Sequence, residues 1–437
     1  MKTISINSRL GILRDVITGL YSLDVITHHA ESSKCASSNE HSIVYQKFFA
    51  SWKLFSLVNL LLVATAGVLL RAKILFPLPW IDHKFLLHAH SHFAFSGWLG
   101  QIISVVLIET ISRSVNIDIK KIRLLFLVNA FASFGMLFTF PFMGYAPASI
   151  FFSTLSLLYS IWFPIVALGY VNKAGQGSLS RNCFRLALIS LMLSTAGPIT
   201  LAVGKALGMQ GMDFEVKSVY WFLHFQYNGF FFFSIAGLYC SLLSSQSHES
   251  RLLKQAFLSF ALSLVPAYLL SVQWLGLSSQ MQALASVSGV LQVLGLIQFV
   301  RYISKKAGKS DWLYTVAFTA FVLKTVFQFI SVFPAMGKIA FGFRPIVIGY
   351  LHLVLLGMMT TFILGFLRHK PGSNSNSGLV VFVIGIIVNE LALFFQGLMG
   401  IVGTYIHGIN ELLFVIALAL LVGAVLIARS AAKSYLI

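Results

Sequence analysis

Charge is scarce in this sequence. Asp, Glu, Lys and Arg together make up 10% of its 437 residues, where a soluble domain carries about 25%. Such a chain cannot cover itself with a water-facing surface. Acidic residues are the scarcest, 13 against 31 Lys and Arg. Cysteine is nearly absent. Cys35, Cys183 and Cys240 stand far apart, which leaves no disulfide framework, no CxxC metal spacing and no CxxCH attachment for a c-type haem. The first 50 residues have no continuous apolar core, so no cleaved signal peptide is expected. No internal repeat is strong enough to support the inverted-repeat architecture of secondary transporters.

What is abundant is apolar. Hydrophobic residues make up 57% of the chain, including 40 Phe. A helix needs about 20 apolar residues to cross the hydrocarbon core. Runs of that kind lie near 54–72, 86–110, 122–142, 148–171, 184–204, 219–243, 255–275, 281–302, 313–333, 346–367, 377–397 and 408–428. The expectation is an all-α, polytopic membrane bundle of about twelve helices over 54–430, with a polar N-terminal segment (1–53) and a short tail (431–437). The seventh run contains Pro266 and Gln273 and the ninth contains Lys324, and these interrupt their apolar character. His28, His29, Cys35 and His41 fall in the polar N-terminal segment and read as part of a loosely ordered tail.

The basic residues alternate between the gaps. Arg113, Lys120, Lys121 and Arg123 follow the second run; Lys173, Arg181 and Arg185 the fourth; Arg251 and Lys254 the sixth; Arg301, Lys305, Lys306 and Lys309 the eighth; Arg368 and Lys370 the tenth. The opposite face has only Arg71, Lys73, Lys84, Lys205, Lys217, Lys338 and Arg344. By the positive-inside rule both termini are cytoplasmic. A basic chain organised this way meets lipid headgroups rather than nucleic acid.

The histidines are the informative polar residues. His88, His90 and His92 open the second run, His224 lies one turn inside the sixth, His352 near the start of the tenth, and His407 at the mouth of the twelfth. All even-numbered runs begin at the outer face, so six histidines from four helices share one thin layer. Neutral imidazole is the commonest metal ligand and binds haem iron axially. His88 and His92 are four apart and share a helix face, while His90 points to the other side. The set His88, His92, His224 and His352 is expected to hold haem iron or another metal, with His90 and His407 completing the cofactor-binding group. Gly97, Gly229 and Gly357 leave room for a flat macrocycle, and Phe93, Phe95, Trp98, Phe225, Tyr227 and Phe230 would wall it. Gln226, Asn228, Asn389, Glu390 and Glu411 form a candidate polar network, because intramembrane polar groups are costly enough to be retained for function. Lys324 is a further intramembrane charge.

Twelve spans, both termini inside, and histidines on spans two, six and ten resemble the haem-copper oxidase superfamily, in particular subunit I of cytochrome c oxidases and nitric oxide reductases. That resemblance implies a low-spin haem between His352 and one of His88, His90 and His92, with His224 in the position of a copper ligand. This chain departs from the family in three places. Tyr350 and Val354 stand where a second span-ten histidine would fall, VQWLGLSSQMQ after span seven has no histidine, and Asn228 replaces the family's span-six tyrosine. Copper would therefore lack most of its ligands. In topology and histidine richness the chain is also similar to NnrS-like haem and copper membrane proteins.

The expected function is a haem-binding membrane protein of oxidase subunit I-like type, with one or two b-type haems, in electron transfer or oxygen or nitric oxide chemistry. Its partners would be the lipid bilayer, an electron donor at the outer face and a small gaseous ligand. The expected location is a bacterial inner membrane. The alternative is a non-haem metal enzyme or a transporter using the same outer histidines.

Overall fold

A computed structural model describes residues 37–174, 178–209, 211–243, 250–305, 311–368 and 376–435. His28, His29 and Cys35 lie outside these residues. Among the described residues every regular element is helical.

The helices follow the apolar runs. They are α1 (Ser37–Leu75), α2 (His83–Ser112), α3 (Ile119–Met143), α4 (Pro147–Lys173), α5 (Leu179–Ala206), α6 (212–241), α7 (Arg251–Leu264 bent into Tyr268–Leu275), α8 (Ser279–Ser304), α9 (Trp312–Ile330), α10 (Arg344–Leu367), α11 (Asn376–Ile401) and α12 (Ile409–Tyr435). A short helix, Pro334–Gly342, joins α9 to α10. Local chemistry sets the starts. Asp82, Asp118, Ser178, Ser278 and Asp311 each accept a backbone N–H of the turn they precede. Pro147 sits in the first turn of α4 and Pro345 in that of α10, where a missing N–H costs nothing. α1 begins at Ser37, upstream of its apolar run, because Phe48, Phe49 and Trp52 are buried against neighbours such as Phe126.

Ten of these helices are long and apolar enough to cross a membrane, and eleven when bent α7 is counted as one span. The twelfth expected span, α6, falls outside that count. His224, Gln226, Tyr227 and Asn228 interrupt its apolar character, and it is sheltered instead, buried from Phe225 to Cys240. The chain is a multi-pass integral membrane protein.

Each helix packs on the next in sequence, and α12 returns to pack on α1, closing a ring. Inside the ring α2, α6 and α10 meet one another. Ile102, Ile103, Val105 and Val106 of α2 are fully buried, whereas Phe131 and Phe138 of α3, Leu391 of α11 and Val415 of α12 are exposed on the outside, as a lipid-facing surface requires. The interior is the polar-bearing layer.

Candidate functional site

The three central helices share one irregularity. α2 widens to a π-helix over Phe93–Gly100, α6 over Phe225–Phe231 and α10 over Leu353–Thr360. Each π segment begins immediately after a histidine: His92, His224 and His352. Such segments are rare and concentrate at functional sites. They also release backbone groups that need partners. In α2 these are met from both sides, since Asn59 Nδ2 donates to the Gly97 carbonyl at 2.7 Å and Asn129 Nδ2 to the Ser96 carbonyl at 3.1 Å. Trp98 Nε1 donates to Thr360 Oγ1 at 3.0 Å, tying the α2 segment to the α10 segment.

Beside these segments lies a cavity of about 470 Å³ between α1, α2, α10, α11 and α12. Its walls are mainly aliphatic, with Phe95, Trp98 and Phe382 among them. Polar groups come in two sets. At the end where α2 and α10 begin are Arg71, His83 and Arg344; deeper lie His90, His352, Thr360 and Asn389, with Gln396 and Asn410 on the α11–α12 side. Arg71 is close enough to His83, His90 and His352 for their charges to interact, and Arg344 is likewise close to His83. The His90 ring reaches α1 at Gly67, where a Cβ would stand in ordinary contact, 3.5 Å from its Cε1.

The histidines are thus brought together less than their common depth suggests. His90 and His352 share the cavity. His352 Nδ1 donates to the Ile348 carbonyl at 2.8 Å, so its Nε2 is the ring nitrogen left free. His88 and His92 lie on the other face of α2. The His92 ring stacks on Phe140 at 4.8 Å with Nε2 3.3 Å from the Tyr145 hydroxyl, and His88 meets Tyr145 edge-on at 4.9 Å. His407 is exposed beside Tyr405, and Glu411 is exposed on α12.

His224 is used internally. The bend at Pro266 sends the Tyr268 N–H to Val265 and leaves the Leu264 carbonyl without a backbone donor. His224 Nε2 donates to that carbonyl at 2.7 Å. Asn228 Nδ2 then donates to the remaining nitrogen, Nδ1, at 3.2 Å. Gln226 Nε2 donates to Ser194 Oγ at 3.1 Å. On α11, Asn389 Nδ2 donates to Glu390 Oε1 at 3.1 Å, and Glu390 Oε2 is buried without a partner.

This arrangement corrects the expected cofactors. Among the described residues no group of three or more His, Cys, Asp or Glu is placed to hold a metal ion. The expected set of His88, His92, His224 and His352 is divided among three surroundings, and both nitrogens of His224, the copper-position histidine, are spent on Leu264 and Asn228. The haem expected from the sequence is therefore not supported, and copper, already short of ligands in the sequence, is not supported either.

Sequence reasoning missed Arg71, Arg344 and Thr360 as cavity residues, and Asn59 and Asn129 as partners of the α2 π segment. Arg71 and Arg344 were legible only as charges in gaps; the two asparagines carried a signal, being amides inside apolar runs. No protein-family model matches the chain, and no curated protein is significantly similar to it in sequence.

Proposed function

We propose that this protein binds an acidic amphiphile within the membrane, in the cavity between α1, α2, α10, α11 and α12. One observation carries the reading: an aliphatic and aromatic cavity of about 470 Å³ ends in two arginines that have no carboxylate partner among the described residues. Its size is that of a small-molecule site, commonly about 300–1,000 Å³. An apolar body would fill the walls, while a carboxylate or phosphate head would accept from Arg71 and Arg344, as charge-assisted bonds to guanidinium favour. His83 would add a donor at the head. His90 and His352 would flank the body and fix its orientation. The distribution of Lys and Arg supports placing this end of the bundle on the outer side, with both termini cytoplasmic. The likeness to oxidase subunit I is on this reading one of helix order and of histidines on α2, α6 and α10.

Phospholipids and free acids share the head chemistry, and their masses separate them. Solvent extraction of the detergent-purified protein followed by mass spectrometry is expected to yield one acidic amphiphile per chain. The double variant R71Q/R344Q should retain less than about a tenth of it, since each charged hydrogen bond contributes roughly 1.5–3 kcal/mol. Recovery of lipids only in the proportions of the surrounding membrane, unchanged in the variant, would refute the reading.

A further inference from the structure

α10 divides the interior. Its His352 side faces the cavity, and its opposite side, with Gly357 against Ala320, faces α9 and α6. On that second side an ammonium stands alone. Lys324 of α9 is 5% exposed, and no described group is within hydrogen-bonding or ion-pair distance of it. A charge buried in this way needs polar company.

Ring contacts place that company. Phe232 of α6 stacks on Phe321 of α9 at 5.5 Å, and the two helices run in opposite directions. One turn further toward the histidine end brings Asn228 level with Lys324, and a second turn brings His224 level with Gln328. The His224 and Lys324 charges are close enough to interact, which agrees with this register. Asn228 Oδ1 and Gln328 Oε1 are both buried and have no protein partner. A cation that must donate thus faces two acceptors that must receive, without touching either. A molecule that both accepts and donates, as water does, satisfies all three.

The polar groups also continue outward. The Tyr227 hydroxyl is close enough to Asn228 and Ser271 for their polar groups to interact. Two residues beyond Ser271 is Gln273, 2% exposed, with neither Nε2 nor Oε1 partnered, lying under Gly337 of the short helix Pro334–Gly342. Ionisable groups packed around α10 include Tyr350, whose ring lies 6.5 Å from that of Tyr227, Glu390, and Tyr314 against Gly365 at the inner end, while Arg71 and His90 lie on the cavity side. Contact between Phe327 and Phe394 at 5.0 Å sets Glu390 at the depth of Lys324, on the α11 side.

We propose that Gln273, Ser271, Tyr227, Asn228, Gln328 and Lys324 line a file of internal waters that carries protons between the histidine end of the bundle and the Lys324 amine. The step is a proton relay with no redox change. A proton taken up or released at Nζ is replaced or accepted by the neighbouring water, and the balance passes to the aqueous phase beyond Gln273. This path is separate from the apolar cavity and does not depend on what that cavity holds.

Hydroxyl-radical footprinting in ¹⁸O-labelled water tests it on the intact, detergent-purified chain. Radicals form from water and label side chains beside bound waters. Label is expected on Tyr227 and on the peptide containing Lys324 at a rate about ten times that of Phe126 and Phe163, which are fully buried elsewhere in the core. K324M and Q328L should each cut the Tyr227 rate toward that of the two phenylalanines. Q328L keeps the test open should K324M fail to fold. Tyr227 labelled no faster than Phe126 in the unaltered protein overturns the proposal, and so does a rate unchanged in Q328L.

Discussion

Replacing His224 by Phe isolates one hydrogen-bonded unit whose strength can be worked out. The phenyl ring keeps the aromatic volume beside Phe225 and Tyr268 but removes both ring nitrogens. Leu264 then loses its donor and Asn228 Nδ2 its acceptor. Interhelical hydrogen bonds in membrane proteins average about 0.6 kcal/mol and reach about 1.7, and a buried group left unsatisfied costs roughly 1–3 kcal/mol. The two losses together should destabilise the fold by about 2 kcal/mol, near 30-fold in the folding equilibrium. Equilibrium unfolding in mixed micelles with increasing SDS would measure it. A double-mutant cycle sharpens the attribution. With P266A, which removes the cause of the bend, the Leu264 carbonyl can regain a backbone donor, so H224F should cost about 1 kcal/mol less in that background. Metal chelators should leave the unaltered protein's unfolding curve in place. A loss below about 0.5 kcal/mol for H224F, equal losses in both backgrounds, or a large effect of chelator would refute the assignment of His224 as the cap of a broken helix.

Three other perturbations are diagnostic. G67F should fill the cavity against His90 and reduce the extracted amphiphile to near zero while the unfolding transition stays within about 1 kcal/mol, because Gly67 faces the cavity and a Cβ there meets only His90, at an ordinary contact distance. K53M breaks the 2.8 Å ion pair with Glu109 between α1 and α2 and should cost about 3 kcal/mol, much of it recovered in K53M/E109Q, as SDS unfolding would show. G423V should be among the most damaging single changes, losing folded protein by size-exclusion chromatography. A Cβ at Gly423 would stand 2.8 Å from the backbone of Phe382, which cannot withdraw.

Much of the fold was legible because membrane insertion is written in long apolar runs. The bounds of α2 to α4 and of α8 to α11 follow those runs within four residues, while α5 starts five residues early and α12 runs seven residues further. Pro266 and Gln273 marked α7 as irregular, and it bends there by 48°. The polar residues of α6 were visible too, but reading them as part of a span hid what they imply: a helix sheltered by its neighbours rather than bathed in lipid. The candidate site was legible in depth and not in direction. Helical spacing separated His90 from His88 and His92 correctly, and chemistry then favoured the pair over the single residue. Tyr145 and Phe140, which come from a distant part of the chain, occupy the pair. Three histidines at one depth cannot reveal that one is consumed by a carbonyl at a bend on another helix. The π segments were illegible because no local residue preference demands them. In α2 the segment is matched by Asn59 of α1 and Asn129 of α3, which take up the released carbonyls.

A π segment is one residue out of step with the helix around it. Each of the three therefore works as an angular offset, turning everything on its far side by about 100° relative to an unbroken α-helix. The histidine end and the basic end of α2, α6 and α10 are in this sense phased independently: the buried face at one end does not fix the face presented at the other. Removing a single residue from Leu353–Thr360 would bring α10 back into step. If the inner half held its packing, the His352 ring would swing out of the cavity it shares with His90, without any change in its own identity or depth.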